Sequence, residues 1–218
     1  MNHDLQKLLT WLSPAFPVGA FAWSAGLETA IVSGAVQDRA SAQGWIAGNL
    51  AHGGIRTDAI LLAHAHRAAG DAHALRDLAD LCLALTPARE RHDETLGMGE
   101  AFVAAAHAWP SAAYDALPRP CPYSIAIGAI AASHNIALDA VLTAFLTAVV
   151  QGQVSVAVRL VPIGQSDGLA IVAALEQAVS VAAMQCQSLA LDAIGAVAYA
   201  TDIAQMAHET LPTRIFRS

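Results

Sequence analysis

The sequence predicts an all-α protein, a single-domain helical bundle of roughly nine to ten helices over residues 1–218. Three observations predict it. Alanine, the strongest helix former, dominates a chain that is 56% apolar. Apolar residues recur at three- and four-residue spacing, whereas alternating β-branched runs are short. Prolines, glycines and capping residues punctuate the chain at helix-length intervals. No repeat or low-complexity linker divides it.

The elements follow in order. A first helix is expected from about Asp4 to Leu12. It is ended by Ser13-Pro14-Ala15-Phe16-Pro17-Val18-Gly19, where two prolines and a glycine forbid regular helix. Ser24 is a candidate cap for a helix ending near Gly34, and Asp38 for one reaching about Leu50. His52-Gly53-Gly54 breaks the chain. Asp58–Ala69 reads as a helix closed by Gly70, and Asp71–Leu85 as another with Leu75, Leu78 and Cys82 on one face. Thr86-Pro87 reads as the start of a helix reaching about Ala108. Residues 110–122 hold four prolines and form the longest irregular connection. Tyr123–Ser133 is apolar nearly all round, as a central buried helix is, and Asn135 suits a left-handed cap. Leu138–Leu160 is long and apolar and stops before Pro162. A turn at 164–168 feeds a helix over Leu169–Gln187, and Ser188 is expected to cap a last helix to about Ala200, followed by a tail.

Composition narrows the function. Charged residues are 13% of the chain, about half the usual share. A surface so poor in charge presents apolar area to other proteins or to lipid. Ala140–Val158 carries no charge, but Gln151, Gly152 and Gln153 interrupt it, which argues against a membrane span. The first residues, with one Lys and an early Asp, make a poor signal peptide, so a cytoplasmic location is expected. A net charge of −7 with scattered basic residues disfavours nucleic acid. The three cysteines, Cys82, Cys121 and Cys186, are far apart and contain no CxxC, so neither a disulfide framework nor a zinc module is expected.

Nine histidines invite a metal reading. His64 and His66 are two apart and lie on different helix faces, and no HExxH is present. Glu90 and Glu94 share a face, with Arg89, Arg91 and Asp93 alongside. A salt-bridged solvated face is expected there, acid–base or cation work being the alternative. Cys121 precedes a helix start, but no base is near in sequence to make it a nucleophile. Gly97-Met98-Gly99 lacks the lysine of a phosphate loop, so the glycines are expected to permit close helix packing. No catalytic set and no metal-ligand set emerges.

Four stretches resemble the urease accessory protein F (UreF) family. They are Leu12–Phe21 continuing through Trp23-Ser24-Ala25-Gly26-Leu27-Glu28; Arg89-Glu90, Glu94 and Met98-Gly99; Gln153–Gly168, containing Arg159-Leu160-Val161-Pro162-Ile163-Gly164-Gln165-Ser166-Asp167-Gly168; and Asp202-Ile203, Met206, His208-Glu209 with the closing Arg214-Ile215-Phe216-Arg217-Ser218. They span residues 12 to 218 in the family's order. Ala20, Ala25 and Ser166 stand where the family commonly has Gly, Gln and Thr. The resemblance implies an all-helical, dimeric accessory protein that is not itself an enzyme. It implies binding to a second accessory protein, UreD (UreH in some systems), and recruitment of the GTPase UreG. The assembly then delivers nickel to the urease apoprotein, with no cofactor held tightly by this chain.

The partner-binding residues that the resemblance and the side chains suggest are Arg214, Ile215, Phe216, Arg217 and Ser218, Phe16, Pro17 and Val18, and Glu28, Arg159, Gln165 and Asp167. Arg and aromatic residues in a tail make strong interface anchors, with a tail packed on its own domain as the alternative. The Ser13–Gly19 loop is either a pre-shaped docking loop or a core-packed cap. Gln165 and Asp167 either contact UreG or cap a helix. Arg159 either acts on the GTPase or pairs within the chain. Two other readings of the whole chain stay open: a helical small-ligand or metal-binding protein, and a small membrane protein.

Overall fold

The computed structural model describes residues 3–195 and 198–218. Among them are eleven α-helices and no strand: α1 (His3–Trp11), α2 (Leu27–Val32), α3 (Arg39–His52), α4 (Gly54–Arg67), α5 (Ala72–Ala84), α6 (Arg89–Ala106), α7 (Ala113–Ala116), α8 (Tyr123–Ser133), α9 (Leu138–Leu160), α10 (Gln165–Cys186) and α11 (Tyr199–His208). Single 3-10 turns lie at Ala20–Ala22 and Leu191–Ala193.

The uncharged α8 is the hub. Every residue from Ser124 to Ala131 is buried, as a helix without a polar face requires. It packs on α4, α6 and α9. Two glycines set those crossings: a Cβ at Gly128 would collide with the Leu62 carbonyl of α4, and one at Gly99 with the backbone of Cys121 and Tyr123. Gly97 borders open space, so only one glycine of the Gly97-Met98-Gly99 run serves close packing. α9 and α10 form a helical hairpin that leans on α3 and α4. By length and composition both helices are apolar enough to cross a membrane; here each packs within the bundle, α9 with half of its most apolar stretch buried.

Local signals place most boundaries. Asp38 caps α3: its Oδ1 accepts from the Ser41 amide at 2.8 Å, while Ser41 Oγ accepts from the Asp38 amide at 3.1 Å. Asp71 caps α5 through the His73 and Ala74 amides, both at 3.0 Å. Asn135 is left-handed at φ 58°. Other boundaries differ from expectation. Thr86 does not start α6: its hydroxyl donates to the Cys82 carbonyl at 3.0 Å and closes α5, so α6 begins at Arg89. Confining the break to Gly53 lets α4 begin at Gly54, ahead of Asp58. The proline-rich connection contains α7. Ser188 caps nothing; its hydroxyl donates back to the Gln185 carbonyl at 3.3 Å. The last helix is α11, inside what reads in sequence as tail; residues 196–197 of the expected Ser188–Ala200 helix lie outside the described residues.

Candidate functional site

His208, the last residue of α11, is fully buried. Its Nε2 lies 3.0 Å from Glu28 Oε2 and its Nδ1 2.6 Å from Glu90 Oε2. Both ring nitrogens thus face carboxylate oxygens. Each carboxylate also holds the tail. Glu28 Oε1 accepts from the Ile215 amide at 2.8 Å and Oε2 from the Phe216 amide at 3.0 Å, while Glu90 Oε1 accepts from Arg214 Nη1 at 2.5 Å. Burial pushes the Glu28 carboxyl up, but His208 and the two tail amides outweigh that and hold it below the usual range.

Backbone pairing continues the attachment. The Arg217 amide donates to the Ala22 carbonyl at 2.8 Å and the Ser24 amide to the Ser218 carbonyl at 2.8 Å. Ser24 Oγ donates to that same carbonyl, and Ser218 Oγ to Glu94 Oε2 at 3.3 Å. The loop comes close enough because Gly26 is left-handed at φ 81°; a Cβ there would sit 2.8 Å from the Gln205 amide nitrogen of α11.

Beneath the tail lies an ionic cluster. Arg91 pairs with Asp58 of α4 and, at 3.4 Å, with Glu94. Burial raises the Asp58 and Glu94 carboxyls, with Arg91 opposing. Burial also works against the Arg91 charge, but Asp58 and Glu94 more than offset it and the guanidinium stays protonated. A cavity of about 80 Å³ adjoins the cluster, lined by Asp58, Arg91, Glu94, Gln153 and Gln205. A groove of about 180 Å³ opens beside it between the Leu12–Trp23 loop and α9.

From α9, Gln153 Nε2 donates to the Ser24 carbonyl at 3.0 Å. Arg159 donates to the Phe21 carbonyl at 3.3 Å and to Ser155 Oγ at 3.1 Å, and its guanidinium stands 4.9 Å over the Phe216 ring. Arg217 stands 4.6 Å over Trp23. Residues from all four stretches quoted above therefore meet around one tail.

The residues singled out from sequence divide into two groups. Phe216 and Ser218 are buried at 4% and 1% exposure, so the tail is packed on its own domain and Phe216 is not free to insert elsewhere. Arg214, Ile215 and Arg217 face outward, Ile215 at 70% exposure. Glu28 is an internal anchor. Phe16 stacks on Phe102 with ring centroids 5.6 Å apart, Val18 is buried and Pro17 is exposed, which makes the loop a core-packed cap with an open crest. Gln165 begins α10, and Asp167 caps it weakly, 3.5 Å from the Gly164 amide and 3.6 Å from Arg39; neither adjoins the tail.

The solvated face expected around Glu90 is corrected. Arg89 and Asp93 do face solvent, but Glu94 is 8% exposed and Arg91 and Glu90 are largely covered, because α11 and the tail close over them. Sequence reading missed His208, Asp58 and Arg91 as parts of one network. The local signal is the four-residue spacing of Glu90 and Glu94, which fixes a face and not what covers it. Burial pushes the Cys82 and Cys121 thiols up to about 12, which suits packing and not nucleophilic attack. Among the described residues no group of three or more His, Cys, Asp and Glu side chains is arranged to hold a metal ion. His64 and His66 instead bond the Leu189 and Ile136 carbonyls at 2.9 and 2.8 Å.

Comparison with known proteins agrees with the family resemblance. The sequence pattern of the family described as UreF matches residues 36–176. Proteins named urease accessory protein UreF are similar along nearly the whole chain. The one from Rhizobium etli CFN 42 is 44% identical over 220 residues, covering 100% of this chain and 99% of its own length. That from Agrobacterium fabrum is 47% identical, covering 98% and 96%. That from Methylobacterium sp. 4-46 is 48% identical, covering 97% and 87%. Similarity at this level along nearly the whole chain places it in the UreF family of urease accessory proteins.

Proposed function

We propose that this chain, a urease accessory protein with a part in urease maturation, works as a scaffold: it binds UreD, recruits the GTPase UreG and presents both to the urease apoprotein for nickel insertion. The observation that carries the reading is the way the tail is displayed. Glu28, Phe216 and Ser218 fasten it from below, so Arg214, Ile215 and Arg217 stand outward on a fixed backbone. A fixed display loses little conformational entropy on binding, and Arg beside an apolar residue is a strong anchor pair.

The rest of the surface fits the same role. Tyr199, Ile203 and Met206 are exposed on α11 at four- and three-residue spacing, beside the tail. Leu169 and Met184 are exposed on α10, which carries only Asp167 and Glu176 as charges in 22 residues. Such faces suit burial against partners or a second copy, and we assign the chain a homodimeric state in the cytoplasm. Nickel is cargo of the assembly in this reading, and the chain itself holds no cofactor. Arg159 is a structural tie between Phe21, Ser155 and Phe216 before it is anything toward GTP.

Co-expression with UreD and UreG, followed by sizing of the purified complex, tests the proposal. The wild-type chain is expected to elute with both partners and, alone, as a dimer. Arg214→Ala, Ile215→Ala and Arg217→Ala together are expected to abolish capture of UreD or UreG at unchanged helicity. Full capture by the triple variant would remove the tail from the interface.

A further inference from the structure

The chamber of about 80 Å³ beside the ionic cluster and the groove of about 180 Å³ adjoin: Glu94, Tyr123, Phe145 and Gln153 line both. Val18, Trp23, Phe145 and Val149 wall the groove. It opens between Phe21, 71% exposed, and the exposed Gln151-Gly152 of α9. An apolar cavity of about 150 Å³ is enough to hold a benzene ring. The chamber is polar, and its polarity is one-sided. Its charged side chains are Asp58, Glu94 and Arg91, two acids to one base. Burial outweighs Arg91 and raises both carboxyls, so a further positive charge beside them is favoured. Two glutamines add acceptors. Gln153 and Gln205 are 7% and 3% exposed, and Oε1 of each has no hydrogen-bond partner among the described residues. The Gln153 amide cannot turn round to cure this, because its Nε2 donates to the Ser24 carbonyl at 3.0 Å. A buried acceptor left unpaired is costly, and a donor brought to it is correspondingly well bound.

We infer that groove and chamber form one binding site for a small organic cation, a primary ammonium on a compact apolar body, with the ammonium in the chamber and the body in the groove. Each part of the site selects one part of the ligand. An ammonium carries three donors and no acceptor, which matches two free amide oxygens and an excess of carboxylate. An anionic head would meet acceptors instead, and a neutral alcohol brings one donor and no charge. Taking an ammonium out of water is compensated only where its donors find partners, and the chamber supplies them. The groove limits the body to about the size of a single ring. A bound molecule braces the Leu12–Trp23 loop against α9. The site does not depend on the scaffold reading.

Methyl NMR of the full-length chain tests it, read at Val149 and Met98, which line the groove, with buried Leu75 of α5 as the reference. Benzylamine, benzyl alcohol and benzoate are titrated separately at neutral pH. Benzylamine is expected to shift Val149 and Met98 saturably while Leu75 stays fixed. It is expected to bind at least about tenfold tighter than benzyl alcohol, because its hydrogen bonds are charge-assisted, with benzoate the weakest of the three. Gln153→Met removes one acceptor and keeps the bulk, so the preference for amine over alcohol is expected to shrink at least about threefold. Ala148→Phe fills the groove from α9 and is expected to abolish the shifts. The inference is overturned by a wild type with no saturable shift at Val149 or Met98, by an alcohol that binds as tightly as the amine, or by an undiminished preference in Gln153→Met. Shifts retained in Ala148→Phe place the ligand elsewhere and overturn it too. Should Gln153→Met fail to fold, as a displaced Leu75 signal would show, the wild-type comparison and Ala148→Phe still decide.

Discussion

Glu28 and His208 stand 180 positions apart in the sequence and meet at 3.0 Å in the core, and Glu28 uses the same carboxylate to receive two consecutive amides of the tail. One side chain thus joins the start of α2, the end of α11 and the tail. A buried charge in this setting is stabilising only while its partners remain, because an unpaired charge in the interior is costly.

Removing that carboxylate is therefore expected to be severe. Glu28→Ala strips His208 Nε2 and two tail amides of their shared carboxylate, and a loss of about 3–5 kcal/mol in unfolding free energy is expected. Urea denaturation checks it. A loss below about 1 kcal/mol would mean that the network relaxes onto water and does not hold the tail.

The same residue sets an acid limb. Glu28 lies below the usual carboxylate range in the folded state. A depressed carboxyl gives stability that is fully present above its unfolded value, about 4.3, and lost as pH falls through the folded value. Asp58 and Glu94, raised by burial, have the opposite sign: they take up protons in the fold first, so mild acidification favours the native state through them. Stability is expected to hold or rise as pH falls toward about 5 and to drop below about 4. Thermal melts across pH should show the drop reduced in Glu28→Gln, and an unchanged acid limb in that variant would assign it elsewhere.

How much of this was legible in the sequence depends on the range of the interaction. The bounds of α8 and α9 are legible because their signals are local: an apolar run, Asn135 as a left-handed cap, and Pro162 as a stop. α11 is not legible because its inward residues Thr201, Ala204, Gln205 and His208 are mostly polar, so the spacing does not read as a buried stripe. They are buried because the ionic cluster is underneath, and that cluster is assembled from helices far apart in the chain. The family-like stretches contain Glu28, Glu90, Glu94 and His208 but as separate segments; their contact is a property of the fold.

Gly26 offers a sharp test of how the loop reaches α11. It is left-handed, and a Cβ would meet the Gln205 amide nitrogen at 2.8 Å and Gln205 Cγ at 2.9 Å. Gly26→Ala combines about 1–2 kcal/mol of backbone cost with a clash against backbone, so about 2–4 kcal/mol is expected in all. Ala25, left-handed at φ 50° just before it, already carries part of such a cost. Ala25→Gly is expected to be neutral or to stabilise slightly. The melting temperature should fall in Gly26→Ala and hold or rise in Ala25→Gly, and a fall in both would show that the turn is not the constraint.

Ile215 and Phe216 are neighbours with opposite environments, 70% and 4% exposed, and they separate the two jobs of the tail. Phe216→Ala empties a buried ring site and removes the Arg159 contact, so a loss of about 3–5 kcal/mol is expected together with loss of partner capture. Ile215→Asp alters only the outer side, since the backbone amide still donates to Glu28. It is expected to leave stability within about 0.5 kcal/mol, as surface changes do, while weakening partner capture at least about tenfold by placing a charge in an apolar contact. Parallel melts and pull-downs resolve the two. If Ile215→Asp captures UreD and UreG as the wild type does, the outward face of the tail is not where they bind, and the exposed stripe of Tyr199, Ile203 and Met206 becomes the next surface to substitute.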